Sequence, residues 1–381
     1  MKRITNKKET INALIRGQEN IYYIGDESAL NEYINAAKDS LNLLITSVIE
    51  SEAVRRGCFD IYTLLAGEKA RKCIEIADTL IIYDIDAMSA SDFGSLYSIK
   101  RMCAHFPRLI VVGDVLDHIG IGGNYYSSPI QIAEWDMFEF MEIDLHKKRL
   151  DTELEDKLEA LHKGDISVID WLNANCKADE DPIKLVTSTH KAYESVLNDY
   201  NGTKKYSAEY EGVIKGNFFE EDMPTYKDLF LYMGQRVMFV DDDTDGRFKR
   251  GDVGYINGLY TGEVRVALND EIIKVRPVTW HKYTPDYILN ELYEDELVVI
   301  EYAEFTQMPI IPADMLSYKM SRGVKFDSIE FSPITKYTGE FYNLINHAKS
   351  RNGIKLIAPI SKEDVKINKE IVECYDYLHS T

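Results

Sequence analysis

The sequence predicts an α/β protein with mostly parallel sheets and a smaller β-rich insertion in its second half. Short apolar stretches alternate with amphipathic stretches over residues 1–115 and again after Phe305. Strands that alternate with helices are joined by crossover connections, which arrange the strands in parallel sheets. Between these two parts, residues 206–303 are rich in Tyr, Val and Ile and contain Asp-Gly and Asn-Gly pairs. Because such pairs favour tight turns, this segment is predicted to form a small antiparallel barrel or sheet.

The first α/β part is predicted to begin with a helix at Glu9–Arg16, which ends at Gly17 as helices often do. Apolar runs of strand length then alternate with amphipathic runs of helical length. The predicted strands are Asn20–Ile24, Leu41–Ile45, Leu80–Ile82 and Leu109–Val112, and the predicted helices include Ser28–Ala37 and Ser91–Ala104.

A helical connector and a second α/β part follow. Leu154, Leu158 and Leu161 recur at helical spacing among charged residues. A chain of 381 residues is too long for one core, so the predicted division is a first domain at 1–145, a helical connector at 146–178 and a second domain at 179–381 with the β-rich insertion at about 206–303. In the second domain the predicted strands are Ile183–Val186, Ser328–Phe331 and Ile354–Ala358, and the predicted helices are Ala313–Met320, Gly339–Ala348 and a terminal helix.

The composition is that of an ordinary soluble globular protein, with 45% hydrophobic and 28% charged residues. No apolar run is long enough for a membrane helix, and the first residues do not have the pattern of a secretory signal. The five cysteines are scattered without paired spacing, which indicates reduced thiols in a cytoplasmic protein.

The formal net charge of −20 is unusual for a protein that binds nucleic acid. Neutralisation of phosphates by basic side chains supplies most of the sequence-independent affinity of such proteins. The charge therefore predicts that any binding of single-stranded DNA is weak.

Nine stretches of the sequence carry a resemblance to a known family, and their order and spacing are more specific than any one of them. The stretches are Leu80–Met88, Val111–Asp117, Gly234–Val240, Val278–Trp280, Thr306–Pro309, Ser317–Gly323, Phe326–Asp327, Gly339–Leu344 and Gly353–Ile360. In this order they resemble the motifs of the superfamily 1B DNA helicases of the RecD, Dda and Pif kind. The resemblance implies two RecA-like domains of the P-loop type, an ATP cleft between them, single-stranded DNA across their top, and 5′-to-3′ translocation.

The phosphate-binding loop that the resemblance implies is degenerate in this sequence. Such a loop needs glycines, a lysine for the β- and γ-phosphates, and a Ser or Thr for magnesium. Only the first glycine, Gly25, is kept after the strand. Asn31 is found at the lysine position and Glu32 at the Ser/Thr position. This stretch therefore predicts a vestigial loop that does not bind nucleotide tightly.

Five further nucleotide-contacting positions of the family are also altered, although a carboxylate is kept at Asp84 and a cation without the bidentate fork at Lys148. An arginine finger, for example, accelerates phosphoryl transfer by about 10³–10⁵. Hydrolysis of ATP is therefore expected to be poor or absent, and no cofactor is expected. The altered positions are Tyr83 for the magnesium carboxylate, Asp84 for the catalytic Glu, Asp117 for the γ-phosphate Gln, Lys148 for an Arg, and His347 for the arginine finger.

Two other groups of residues are candidates for binding sites. Basic side chains within or beside the motif segments are expected to carry any contact with DNA. A run of aspartates fits the spacing of a calcium loop, but a strand precedes it instead of a helix, which favours an acidic hairpin loop without metal. The basic candidates are Lys148, Arg149, Arg322 and Lys325, and the aspartates are Asp241, Asp243, Asp245 and Asp252.

These observations favour a bacterial or phage protein of DNA replication, recombination or defence that uses the helicase frame to bind a partner, most simply a protein in a DNA-processing complex. One alternative is an active ATP-dependent 5′-to-3′ helicase, with ATP and magnesium as cofactors, whose functional motifs lie at positions other than those assigned here. A second alternative is an acidic mimic of DNA that binds a basic protein through its negative charge. An ATPase assay with single-stranded DNA separates the first two hypotheses.

Overall fold

The computed structural model describes residues 1–119, 127–146, 149–178, 181–197, 203–212, 223–291 and 293–380. Lys148 of the predicted site lies outside these residues. The strands are β1 Arg3–Ile4, β2 Ile21–Gly25, β3 Leu43–Ser47, β4 Phe59–Asp60, β5 Thr79–Tyr83, β6 Arg108–Val112, β7 Met141–Leu145, β8 Ile183–Val186, β9 Lys204–Ser207, β10 Glu209–Gly212, β11 Asp228–Leu231, β12 Arg236–Phe239, β13 Val253–Tyr260, β14 Glu263–Leu268, β15 Glu271–Val275, β16 Val278–Leu289, β17 Asp295–Gln307, β18 Ile310–Pro312, β19 Met315–Ser317, β20 Ile329–Phe331 and β21 Ile354–Leu356.

Helices connect and cover these strands. The α-helices are α1 Lys7–Arg16, α2 Ser28–Ala37, α3 Glu50–Arg56, α4 Glu68–Ile76, α5 Ala90–Met102, α6 Ala133–Asp136, α7 Thr152–His162, α8 Val168–Asn175, α9 Thr189–Leu197, α10 Glu340–Ile345 and α11 Lys369–Ser380. Short 3₁₀ helices lie at Ile61–Thr63, Ile85–Ala87, Val115–Asp117, Pro129–Gln131 and Arg351–Gly353. Among the described residues, none of these helices combines the length and the apolar character that a membrane span requires.

The parallel part of the first sheet has the strand order β1-β7-β2-β6-β5-β3-β4, and its central strands are apolar on both faces. Tyr22 of β2 packs into the core on one face, and the adjacent Tyr23 packs into the core on the other. Residues that alternate between two buried faces produce continuous apolar runs, which is why the strands were recognisable in the sequence. The predicted parallel sheet is confirmed, and the ends of β2, β3, β5 and β6 lie along one edge.

Strand β7 was not predicted, although it lies between β1 and β2 in the sheet. Its sequence alternates apolar residues with Glu142 and Asp144, which interrupts the apolar run. Glu142 is fully buried and is paired with Arg3 and His379, 2.9 and 2.8 Å away. The charge on this strand is therefore compensated by residues that lie far away in the sequence.

The second parallel sheet has the order β19-β8-β20-β21. The prediction of a helix at Ala313–Met320 is wrong, because β19 lies within this segment and pairs in parallel with β8, with Leu316 opposite Leu185. Both leucines are buried. A short buried apolar run does not distinguish a strand from a helix, and here pairing with a distant strand determines the structure.

The β-rich segment at 206–303 is antiparallel, as predicted, but its strands belong to three different sheets. The long hairpin β16–β17 joins the first sheet at a bridge between Tyr283 and Phe59, and β10 extends the sheet beyond β17. Strands β12–β15 form a separate sheet with β18, and β9 pairs with β11. A single barrel is therefore not confirmed.

Candidate nucleotide and nucleic-acid site

The connection between β2 and α2 is too short for a phosphate-binding loop. The strand ends at Gly25 and the helix begins at Ser28, which leaves only Asp26 and Glu27 between them. A P-loop needs about four residues between its glycines to wrap backbone N–H groups around a phosphate. The Asp26 carboxylate instead accepts a hydrogen bond from the backbone nitrogen of Ser28, 3.1 Å away. A carboxylate of the chain therefore lies at the anion-attracting N-terminus of this helix.

Gly25 has a structural role that does not involve nucleotide. Its φ is +95°, a left-handed conformation that favours glycine. A Cβ at this position would lie 2.5 Å from the backbone nitrogen of His146 and 2.5 Å from the carbonyl oxygen of Leu145. The residue is therefore required by the close approach of the end of β7.

Asn31 and Glu32 both lie within the helix α2, and both are exposed. The Glu32 carboxylate is 2.6 Å from the Nζ of Lys7 on the neighbouring helix α1. Because the helix begins at Ser28, these residues follow its start by a full turn instead of opening it. The correspondence of these two residues with the P-loop lysine and its neighbour stays a prediction.

An arginine from outside the predicted motifs occupies the edge of the sheet beside Glu27 and Tyr83. The Arg56 guanidinium at the end of α3 donates to both oxygens of Glu27, at 2.7 and 3.0 Å. Its carbon Cζ lies 4.0 Å from the centre of the Tyr83 ring. Burial lowers the pKa of Arg56, but the hydrogen bond and charge of Glu27 outweigh this effect and raise it overall. Sequence reasoning missed Arg56, because no spacing connects it to Glu27, 29 residues earlier.

A second arginine, Arg322, reaches from the second α/β part to the end of β5. Its Nε donates to Asp84 at 3.0 Å, and a terminal nitrogen contacts both carboxylate oxygens of Asp86. Ser47 donates a further hydrogen bond of 2.6 Å to Asp84, which has a left-handed φ of 61°. Burial raises the pKa of Asp86 to about 6, against the opposing charge of Arg322. Arg322 is therefore bound to carboxylates instead of facing an open cleft.

Asp117 forms the third ionic contact of this region, with a histidine that was not predicted. Its Oδ1 lies 3.0 Å from Nε2 of His162, the last residue of α7. The His162 ring stacks on Tyr342 of α10, with 3.8 Å between ring centres. Burial lowers the pKa of His162, but the contact with Asp117 and the charge of Asp114 raise it overall. Asp117 is thereby engaged in an ion pair that links three elements.

His347 is buried, and carbonyl oxygens lie beside both of its ring nitrogens. Its Nδ1 lies 2.6 Å from the carbonyl oxygen of Asn343, and its Nε2 lies 3.1 Å from that of Ser321. Burial, followed by the positive charge of Lys325, lowers its pKa to about 4. A neutral imidazole does not supply the positive charge of an arginine finger.

Arg149 and Lys325 both bind the C-terminal end of α10. Arg149 donates to the carbonyl oxygens of Ala348 and Asn346, at 3.0 and 2.9 Å, and Lys325 donates to the Asn346 side-chain oxygen at 2.8 Å. Cations at this position satisfy the unpaired carbonyls of a helix end. Burial and the neighbouring Arg149 lower the pKa of Lys325 to about 7. A contact of Arg149, Arg322 or Lys325 with DNA stays a prediction, and all three side chains are engaged within the protein.

The aspartates of the calcium-loop pattern have partners of their own. Asp243 pairs with Arg247 at 2.6 Å, Asp241 accepts from the indole of Trp280 at 2.8 Å, and Asp252 accepts from the backbone nitrogen of Lys249 at 2.8 Å. Within the described ranges, three potential metal ligands converge at a different place, on β16 and β17.

The sequence matches no protein-family model, and it matches no curated protein. Solved structures do match over nearly the whole chain. Pif1 of Bacteroides sp. in complex with ADP-AlF4 has a TM-score of 0.83 and 17% identity, and the match covers 99% of this chain and 97% of that chain. Pif1 helicase of Candida albicans has a TM-score of 0.69 and 17% identity, with 99% and 100% covered.

The arrangement of the chain differs more from a DNA complex of the same Bacteroides helicase. That complex, with ADP-AlF3 and single-stranded DNA, has a TM-score of 0.59 at 17% identity, with 98% of this chain and 96% of that chain covered. These similarities show that the chain has the fold of the Pif1 helicases. The predicted α/β class with two RecA-like domains is confirmed.

Proposed function

We propose that this protein uses the helicase fold to bind a partner in bacterial or phage DNA replication, recombination or defence, in the cytoplasm and without hydrolysing ATP. The observation that carries the proposal is the pair of arginines at the edge of the first sheet. Arg56 is bound to Glu27, and Arg322 is bound to Asp84 and Asp86. The chain supplies both the cations and the anions of this region itself.

These ion pairs oppose nucleotide binding in two ways. A triphosphate that recruited either arginine would leave a partly buried carboxylate unpaired, at a cost of about 3–5 kcal/mol. The freed carboxylates would then repel the phosphates at short range. The two-residue connection after β2 offers no loop of backbone N–H groups in compensation.

Ion pairs of arginines with carboxylates also join distant parts of the chain. Arg322 bridges 238 residues of sequence to Asp84, and Arg250 bridges 198 residues to Glu52 at 2.7 Å. Glu52 is buried, and its pKa is about 2 because the charges of Arg250 and Arg55 outweigh its burial. A translocating motor must open and close its cleft in each cycle. Buried charge pairs across the chain favour a single arrangement, which suits a binding protein.

The distal half of the hairpin β16–β17 offers a surface for a protein partner. Large apolar side chains are exposed there, including Leu289 at 64%, Tyr293 at 87% and Val299 at 60%. Exposed apolar side chains grouped on one element are typical of interaction sites. We propose that an apolar face of the partner protein packs against this hairpin.

Nucleotide binding and turnover test the first part of the proposal. Isothermal titration with magnesium-ATP, and ATPase assays with single-stranded DNA, are run beside Bacteroides Pif1 as a positive control. The expected result is no saturable heat below millimolar ATP and no DNA-stimulated turnover. Turnover that increases with single-stranded DNA would show an active helicase and would reject the proposal.

Capture of partners from the native host tests the second part. The double variant Leu289→Asp/Tyr293→Ser is expected to lose proteins that the unaltered chain retains. Ile357→Asp is the matched control, since Ile357 is 63% exposed and lies outside the hairpin. Equal capture by both variants would exclude the hairpin as the partner surface.

A further inference from the structure

Three potential metal ligands converge on one face of the hairpin β16–β17, and none of them belongs to the arginine clusters described above. His281, Glu301 and Glu304 each offer one ligand atom, and these atoms all lie within 4.8 Å of one another. The His281 Nδ1 is 3.0 Å from a carboxylate oxygen of Glu301. Ligand atoms around a tetrahedral zinc ion are separated by about 3.3 Å, given metal–ligand distances of about 2.0–2.2 Å. Small side-chain rotations would therefore complete this geometry.

A β-bulge brings the two glutamates to the same face. Glu301 and Glu304 are three residues apart, so in a regular strand they would point to opposite faces. Across the hairpin, Lys282 pairs with Ala303, whereas the next residue, Tyr283, pairs with Glu301. Tyr302 is therefore the additional residue of a bulge, and it restores Glu301 to the side of Glu304 and His281.

A third carboxylate extends the cluster onto the neighbouring strand. In the strand register, Glu304 lies directly opposite His281 on β16 and directly opposite Glu211 on β10. Like charges at directly opposed positions of a sheet are destabilising. The sheet thus gathers acidic side chains around one imidazole, an arrangement that a cation would stabilise.

We propose that His281, Glu301 and Glu304 bind one divalent first-row transition-metal ion, with Glu211 beside it. One imidazole nitrogen with two carboxylate oxygens favours zinc or its neighbours over calcium and magnesium, which prefer oxygen ligands alone. Because the glutamates are partly or fully exposed, water would fill the remaining coordination positions. The bound ion would connect β16, β17 and β10.

Cobalt titration of the metal-free, full-length protein tests the site directly. We expect one equivalent of Co²⁺ to produce a saturable visible absorbance, with zinc competing for the same site and calcium failing to compete. His281→Ala is expected to weaken cobalt binding at least tenfold. His190→Ala is the matched control, because His190 is exposed, lies 3.5 Å from Glu194 and is not on the hairpin, and it should bind cobalt as the unaltered chain does. Equal affinity in His281→Ala, or no binding at 1 mM cobalt, would overturn the proposal.

Thermal melting provides a second readout that does not depend on spectroscopy. Zinc should raise the melting temperature of the unaltered protein and leave that of Glu304→Gln unchanged, because a ligand stabilises only the state that binds it. Without metal, Glu304→Gln should melt at or above the temperature of the unaltered protein, since the substitution removes a carboxylate repulsion. A zinc-dependent rise of equal size in both proteins would contradict the site.

Discussion

At the scale of single residues, the edge of the first sheet is determined by pairing between charged side chains. Arg322 has partners on both Asp84 and Asp86, and Asp86 is only 3% exposed. A buried charge that loses its partner is costly, whereas a solvent-exposed pair contributes little. The same type of contact therefore has different effects on stability at the cleft and at the surface.

Arg322→Ala is expected to lower the free energy of unfolding by about 3–5 kcal/mol, because Asp84 and Asp86 would stay buried without a cation. Urea denaturation followed by circular dichroism measures this change. Arg265→Ala is the control, since Arg265 is 38% exposed and lies 3.4 Å from Glu263, and it should cost about 1 kcal/mol or less. Similar losses in the two variants would contradict the role of Arg322.

His146 should make stability depend on pH. Its hydrogen bond to Asp144, 2.7 Å long, raises its pKa to about 9. A histidine with a raised pKa stabilises the folded state fully at pH values below about 6.5. This contribution is lost as the pH rises through about 9. The melting temperature of the unaltered protein should therefore exceed that of His146→Gln at pH 6, and the difference should vanish by pH 10. Because His146 is 51% exposed, a difference of a few degrees is expected. His190→Gln should show no such convergence.

At the scale of elements, the position at which a helix begins decides what a preceding glycine can do. Gly25 lies at the end of β2 against the backbone of Leu145, and α2 begins three residues later. The glycine after this strand therefore reflects the pairing of β7 with β2 in the sheet. The phosphate-loop interpretation of this segment relied on spacing alone.

Gly25→Ala is expected to destabilise the fold by more than about 2 kcal/mol, because the strain of a positive φ adds to overpacking against Leu145 and His146. Chemical denaturation provides the measurement. Gly67→Ala isolates the conformational component, since Gly67 has a φ of +92° and a Cβ there would meet no atom within 4 Å. Gly67→Ala should lower the free energy of unfolding by about 1 kcal/mol. Equal effects at both positions would exclude the close approach as the cause.

At the scale of the whole molecule, the net charge of −20 opposes association with nucleic acid. Lys325 and Arg149, two of the cations expected to contact DNA, are already bound to the end of α10. Global repulsion and local occupation of the cations therefore act in the same direction.

Affinity for single-stranded DNA is expected to be micromolar or weaker near 150 mM salt, and any binding should weaken further in Arg149→Ala. Fluorescence anisotropy of a labelled oligonucleotide across a salt series measures both quantities. Each phosphate contact contributes about −0.7 to the slope of log affinity against log salt for single strands, so the slope counts the cations involved. Nanomolar affinity at this salt concentration would reveal a basic track that outweighs the net charge.

The sequence by itself determined the α/β class and most of the strands of both parallel sheets. Apolar runs such as Leu80–Ile82 are buried on both faces, so their hydrophobicity is visible without knowledge of the partner strands. The helix Ser28–Ala37 has the bounds that its periodicity predicted. The order of weak motifs was also sufficient to predict the fold, because many positions combine into one pattern.

Only the tertiary structure decided how the charged residues are used. Sheet order and strand register bring together three pairs of polar side chains: Arg56 with Glu27, Arg322 with Asp86, and His281 with Glu304. It also decided that Met315–Ser317 is a strand, because pairing with β8 outweighs local preference. Hydrophobic burial depends mainly on local composition and leaves a periodic signal in the sequence. The pairing of charges depends on distances of a few ångströms between segments that the sequence leaves independent.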